Sequence, residues 1–238
     1  MALRVSERQL VLLPGFMCDA DLWADMAGEL GRLGTVHYGN VYQDDTLEGM
    51  ARRVLAESPE RFVLVGFSMG GFVARVLTLM APGRVAGVAF VASSAREYTA
   101  AERERRLKGN LPGDRPRRAN PGVALGLHPD RERDPVLLGR LRDMQRRLGP
   151  EVRARQSALI RRDGYADLER ITCPSLVIAC RQDRLRSLAE TGAWPGTCRI
   201  ASSTSSRIAG TWRRSKNLMS SPKCLRTGSF ASTCDALA

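Results

Sequence analysis

The sequence predicts an α/β protein, a doubly wound and mostly parallel sheet carrying an inserted helical cap. Three observations predict it. The strand-like segments are apolar throughout rather than alternating, which calls for a sheet covered on both faces. Amphipathic helical segments alternate with them from Gln9 to Ala92, the order expected of βαβ units. From Glu97 to Asp163 the strand pattern gives way to an Arg-rich stretch with Pro112, Pro116, Pro121, Pro129 and Pro135 and helical periodicity only, and it resumes at Leu176.

Taken in order, Gln9–Leu13 is a buried strand that stops at the turn Pro14-Gly15. Asp21 to Leu33 repeats apolar residues at helical spacing through Leu22, Met26, Leu30 and Leu33, and Thr35–Tyr38 is a short second strand. Thr46 is an N-cap for a helix reaching Ala56, with Leu47, Met50, Ala51, Val54 and Leu55 on one face. Phe62–Val65 is a strand ending at Gly66, Gly71 to Met80 a helix, and Val85–Ala92 another strand. Within the Arg-rich stretch, Val136–Leu148 is the clearest helix, and Leu176–Ala179 returns to strand. The chain therefore divides into a core over residues 1–96, a helical cap over 97–165, a second core piece over 166–185 and a tail over 186–238.

Composition narrows the function classes. The 238 residues can bury one core with a small insertion. No apolar run approaches the roughly 18 residues that span a bilayer, and MALRVSERQLVLLPG lacks the pattern of a secretory signal. A cytoplasmic protein without membrane attachment is expected. Six cysteines (Cys18, Cys173, Cys180, Cys198, Cys224 and Cys234) show neither a C-x-x-C pair nor metal-like spacing with histidine, so free thiols and no metal are expected. The net charge of +12 raises the question of nucleic acid. Half of that excess lies in residues 186–238, and the remaining arginines sit beside acidic residues without interleaved aromatics for base stacking. No nucleic-acid partner is expected, and the oligomeric state stays open.

The chemistry lies in Gly66-Phe67-Ser68-Met69-Gly70-Gly71, which matches G-x-S-x-G between a strand and a helix. A serine on a sharp strand-to-helix turn needs glycine on both flanks, because side chains there would collide. The turn exposes the hydroxyl and directs the Met69 N–H and the helix N-terminus at the reacting oxygen. Ser68 is the candidate nucleophile.

VLLPGFMCDADLW, RFVLVGFSMGGFVA and ITCPSLVIACRQDRL together resemble the α/β-hydrolase superfamily, and among its members the small carboxylesterases related to pimeloyl-carrier-protein methyl-ester esterases. The likeness runs from residue 9 to about 185. It implies an eight-stranded, mostly parallel sheet, a Ser–His–acid triad and no cofactor. It also implies that Phe16, after the Pro14-Gly15 turn, and Met69 supply the two oxyanion N–H donors. The acid maps onto Asp183 in Leu176-Val177-Ile178-Ala179-Cys180-Arg181-Gln182-Asp183, where Cys180 stands in place of the usual glycine. The histidine does not map. The family carries it downstream of the acid, whereas His37 and His128 both precede Asp183.

The tail offers a reason. Ten serines crowd into residues 186–238 against seven in residues 1–185, and apolar periodicity is lost. No strand or helix is evident there where the family needs its last two. Gly210–Met219 can be encoded as GGC ACA TGG CGA CGC TCG AAA AAC CTG ATG, and the displaced frame then reads His-Met-Ala-Thr-Leu-Glu-Lys-Pro-Asp, similar to the family's histidine segment. The expectation is a frame shift between about Arg186 and Arg199, leaving an aberrant tail and an impaired enzyme. The implied activity is hydrolysis of a small-molecule ester or acyl substrate through an acyl-enzyme on Ser68. A binding protein on the same fold, or a C–C lyase or cofactor-free peroxidase, are the alternatives.

Overall fold

The computed structural model describes residues 8–108, 127–180, 182–185, 190, 194 and 199–203. Among these, six strands form one sheet in the order β2-β1-β3-β4-β5-β6, and every neighbouring pair is parallel. The strands are β1 (Gln9–Leu13), β2 (Thr35–Tyr38), β3 (Phe62–Phe67), β4 (Val85–Val91), β5 (Ser175–Cys180) and β6 (Arg199–Ser203). A 3₁₀ helix (Ala20–Met26) and α1 (Ala27–Gly31) join β1 to β2, α2 (Leu47–Glu57) joins β2 to β3, and α3 (Met69–Met80) joins β3 to β4. Between β4 and β5 lie α4 (Ala100–Lys108), a 3₁₀ turn (Pro129–Arg131), α5 (Pro135–Ala158) and α6 (Tyr165–Glu169), which include the inserted cap.

Continuous apolar strands require cover on both sides, and two separate cores supply it. On one face Leu13, Val11 and Leu64 pack with Met50 and Val54 of α2 and Phe72, Val73 and Leu77 of α3. On the other, Leu10, Leu12 and Val65 pack with Leu22, Trp23 and Met26 of the 3₁₀ helix, Leu30 of α1 and Met144 of α5. Each fully buried aliphatic or aromatic side chain contributes about 1.5–3 kcal/mol relative to exposure. The chain leaves β1 outward to β2 and then crosses back to β3 on β1's other side. That reversal lies between the carboxyl ends of β1 and β3, where loops of open α/β sheets converge on ligands.

Several elements depart from the sequence expectation. The helix expected over 21–33 begins as 3₁₀, its N-cap Asp19 accepting the Asp21 N–H at 3.0 Å. Gly28 and Gly31 leave the α-helical part only five residues long. β3 runs on through Gly66 and Phe67, which pair with Phe90 and Val91, and α3 starts at Met69 rather than Gly71. Thr46 caps α2 as expected, accepting the Gly49 N–H at 3.0 Å. The cap helix runs ten residues past Leu148, through a break at Gly149 (φ 75°, ψ 179°) followed by Pro150. Proline suits the first position of the renewed helix, where its missing N–H costs nothing. The expectation of no strand after Arg186 is corrected by β6, where Leu176 pairs with Arg199 and Cys180 with Ser203. A sheet edge offers unpaired N–H and C=O groups to any extended backbone, so a strand forms there without an apolar pattern to announce it. The other expectations for the tail, and those for residues 109–126, lie outside the described residues.

Candidate active site at the sheet reversal

Ser68 is the N-cap of α3 with φ 51° and ψ −109°, in the left-handed region that a residue with a Cβ rarely enters. Close packing holds it there. A Cβ on Gly66 would lie 2.6 Å from the Gly70 carbonyl oxygen and 2.7 Å from the Gly71 Cα. One on Gly70 would lie 2.7 Å from both the Leu13 carbonyl carbon and the Pro14 oxygen. The Ser68 N–H donates to the Val91 carbonyl at 2.9 Å, and the Ser68 carbonyl accepts the Gly71 N–H at 3.1 Å. It also accepts the Ser93 hydroxyl at 2.9 Å. Ala92, itself at φ 46°, turns the end of β4 so that buried Ser93 sits beneath the elbow. The Met69 N–H opens a twelve-residue helix, where the first N–H groups lack intrahelical partners and the helix dipole is positive.

The loop after β1 packs against this helix start. A Cβ on Gly15 would stand 3.5 Å from the Ser68 Cβ. The Gly15 carbonyl accepts the Cys18 N–H at 3.2 Å. In a trans peptide the N–H points opposite to the C=O, so the Phe16 N–H faces away from that turn. Met17 then adopts φ 53° and donates its N–H to the Gln156 side-chain oxygen at 2.8 Å. Phe16 is half-buried, with the Arg153 guanidinium 5.9 Å from its ring centroid. Burial lowers the pKa of Arg153. Burial first, and then Asp19, pushes the Cys18 thiol up to about 12, so this cysteine stays protonated beside the loop.

Asp183 lies three residues past β5, half-buried, with its Oδ1 accepting the Leu185 N–H at 2.7 Å. Ile178 is level with Val91, and Val91 with Phe67. Ser68 and the loop of Asp183 thus share the carboxyl edge of the sheet, following strands β3 and β5 that lie two strand spacings, or roughly 10 Å, apart. Neither histidine completes a Ser–His–acid chain. His37 lies mid-strand on β2, level with Val11 and hence with Leu64, and its Nε2 is 2.7 Å from the Gln9 side-chain oxygen. His128 begins the 3₁₀ turn whose Glu132 pairs with Arg184 at 2.8 Å, which ties that segment to the Asp183 loop. Its Nδ1 lies 3.2 Å from the Asp130 backbone nitrogen and 3.5 Å from the Asp130 carboxylate, so its contacts are within its own turn.

Sequence reasoning missed the residues that support this edge from a distance. Ser93 and Gln156 carry no local motif, and only the fold brings them to the elbow and the β1 loop. Arg161 is another. It is 1% exposed, stacked 4.4 Å from the Phe72 ring of α3 and 4.1 Å from the Tyr98 ring, and so joins the helix of Ser68 to the start of the cap. Among the described residues, no three His, Cys, Asp or Glu side chains are placed to hold a metal ion, and no helix is long and apolar enough to cross a membrane.

Comparison with known proteins agrees with this geometry. A family model described as alpha/beta hydrolase fold matches residues 13–199. A pimeloyl-[acyl-carrier protein] methyl ester esterase of Edwardsiella ictaluri is 38% identical over 37% of this chain and 37% of its own length. One from Sodalis glossinidius is 35% identical over 46% of this chain and 43% of its own. The match thus spans well under half of these relatives. The enol-lactonase of Burkholderia xenovorans LB400 superposes with a TM-score of 0.74 at 21% identity, covering 87% of each chain. A thermophilic esterase from Thermogutta terrifontis gives 0.66 at 23% identity over 83% of this chain and 81% of its own. These two structures show the fold alone.

Proposed function

Because the chain belongs to the α/β-hydrolase family, we propose that it is a serine hydrolase that cleaves a carboxylic ester through an acyl-enzyme on Ser68. The observation that carries the reading is the left-handed backbone of Ser68 at the start of α3, packed against the Pro14-Gly15 loop. In this reading the Ser68 Oγ attacks the ester carbonyl, and the Phe16 and Met69 N–H groups receive the negative charge that develops on its oxygen. The alkoxide leaves, and water then releases the acid and regenerates the serine. The core spans residues 1–96 and 166–185, and the cap over 97–165 selects the substrate. Relatives named as methyl ester esterases make a methyl ester of an acyl chain the first substrate class to offer.

Asp183 is the acid of this reading, but its histidine partner is missing. The Ser68 proton then passes to solvent, and turnover falls several orders of magnitude below that of a complete triad. We read residues 186–238 as out-of-frame translation of the segment that bears the family histidine. The nucleotide sequence from the Cys180 codon to the stop tests this, since the reading fails without a histidine codon in the displaced frame. The hydrolase reading is tested by comparing the chain with Ser68→Ala on short methyl and p-nitrophenyl esters over pH 6 to 9. The expected result is slow turnover that rises with pH and is lost in Ser68→Ala. Equal rates for the two proteins would overturn it in favour of a binding role.

A further inference from the structure

We propose that Gln156 is a positioning residue that clamps the β1 loop and thereby aims the Phe16 N–H at the oxyanion. The inference deepens the ester-hydrolase reading and rests on it for the identity of the donor. Gln156 is 0% exposed and stands on the second segment of α5, beyond the break at Gly149. Its amide spans two loops of the sheet edge. The side-chain oxygen accepts the Met17 N–H at 2.8 Å, and the side-chain nitrogen donates to the Val41 carbonyl at 3.2 Å. Both contacts are buried, and they reach 139 and 115 residues along the chain. An amide supplies one acceptor and a donor in a single plane, which matches the two backbone groups it joins.

The clamp matters because of where it grips. Met17 is held at φ 53°, a conformation that costs an L-residue of order 1–3 kcal/mol unless its surroundings fix it. Fixing the Met17 N–H fixes the plane of the Phe16–Met17 peptide, whose carbonyl lies 3.5 Å from the Cys18 thiol on the opposite side. The preceding peptide is fixed by the Gly15 carbonyl accepting from the Cys18 N–H. With both planes set, the Phe16 N–H has one direction left. Two further contacts run from α5 to the same loop: the Met144 sulfur accepts the Asp19 N–H at 3.4 Å, and Arg147 pairs with Asp19 at 2.9 Å. The cap helix therefore holds the loop as well as covering it, and a shift of α5 would move the oxyanion donor.

The test compares the chain with Gln156→Met and Gln156→Glu. Gln156→Met retains bulk, removes the donor and exchanges the amide oxygen for a weak sulfur acceptor. Gln156→Glu is isosteric and retains both hydrogen bonds while its carboxyl is protonated, and burial favours that neutral form. For ester turnover, Gln156→Met is expected to lower kcat by about 10–100-fold with KM within about twofold, the signature of a misplaced donor. Gln156→Glu is expected to match the parent at pH 5.5 and fall behind it as pH rises to 9, measured as a ratio at each pH. A kcat for Gln156→Met within twofold of the parent would overturn the inference.

A second readout needs no activity. Amide hydrogen exchange at Met17 is expected to quicken by at least about 10²-fold in Gln156→Met, while Leu64 and Val65 in β3 keep their protection. Unchanged exchange at Met17 overturns the clamp. If the parent shows no turnover dependent on Ser68, the hydrolase reading falls and the clamp is judged on exchange alone. If Gln156→Met loses protection at Leu64 as well, the pH dependence of Met17 exchange in Gln156→Glu decides.

Discussion

Replacing Gly70 by alanine probes the contact on which the site depends. The added methyl would lie 2.7 Å from the Leu13 carbonyl carbon and 2.7 Å from the Pro14 oxygen. Ordinary carbon contacts fall at about 3.5–4.0 Å, so the overlap approaches 1 Å. The obstacles are backbone atoms. Leu13 is fully buried and paired with Gly66 in the middle of the sheet, so it cannot swing aside. Either α3 recedes or the β1 loop moves. Overpacking of this kind costs about 1–3 kcal/mol, and the upper figure applies where backbone must yield. For a domain of this size each kcal/mol lowers the melting temperature by roughly 2–4 °C, which predicts a loss of about 6–12 °C. Under the proposed ester-hydrolase reading, turnover dependent on Ser68 should fall about a hundredfold more, since a displacement near 1 Å misaligns the hydroxyl with the proposed Phe16 and Met69 N–H donors to the substrate oxygen. Gly83→Ala is the control: nothing lies within 4 Å of its added methyl, and its φ is not positive. Melting by circular dichroism, with ester turnover on the same samples, decides. If Gly70→Ala melts within about 1 °C of Gly83→Ala and hydrolyses as fast, the packing argument for the elbow is wrong.

Two further predictions concern ionisation. Cys18 is 8% exposed with its thiol raised to about 12, while Cys173 is more open. Iodoacetamide at pH 8 should therefore modify Cys173 and spare Cys18 in peptide mass mapping, and equal labelling would contradict the burial. The Glu102 carboxyl is drawn from an ordinary 4.5 down to about 2, chiefly by Arg96, whose guanidinium donates to it at 2.6 and 2.7 Å. A carboxyl with a lowered folded pKa stabilises fully above its unfolded value and loses that contribution as pH falls toward the folded one. Urea unfolding should show Glu102→Gln flattening the stability change between about pH 4.5 and 2, while leaving the slope above pH 5 alone. An unchanged acid slope would show that the pair contributes nothing in solution.

Local chemistry made much of the fold legible. Short continuous apolar runs such as Phe62–Val65 and Val85–Ala92, rich in valine, read as strands buried on both faces, and Thr46 marks the start of α2 because its side chain satisfies a helix N–H. Element ends were less legible. β3 continues through Gly66 because β4 lies beside it, and β6 exists because β5 presents an edge. Neither partner is visible in the segment itself. The candidate site divides in the same way. Ser68 and Met69 announce themselves within six residues, since one tight turn demands glycine on both sides. Phe16 and Asp183 came through resemblance, because a loop after a strand has no chemistry of its own until its neighbours are known.

The sequence by itself determined the parallel sheet, the elbow at Ser68 and the absence of any histidine after Asp183, because each is a matter of composition or of spacing along a few residues. Only the tertiary structure decided which remote groups hold that elbow and its loop. Ser93, Arg161 and Gln156 lie 25, 93 and 88 residues from Ser68 along the chain and carry no periodicity that marks them. They matter because the sheet reverses between β1 and β3 and α5 reaches back to the loops at that point. Close packing then turns a left-handed serine, a left-handed methionine and a buried amide into one arrangement that none of the three segments specifies alone.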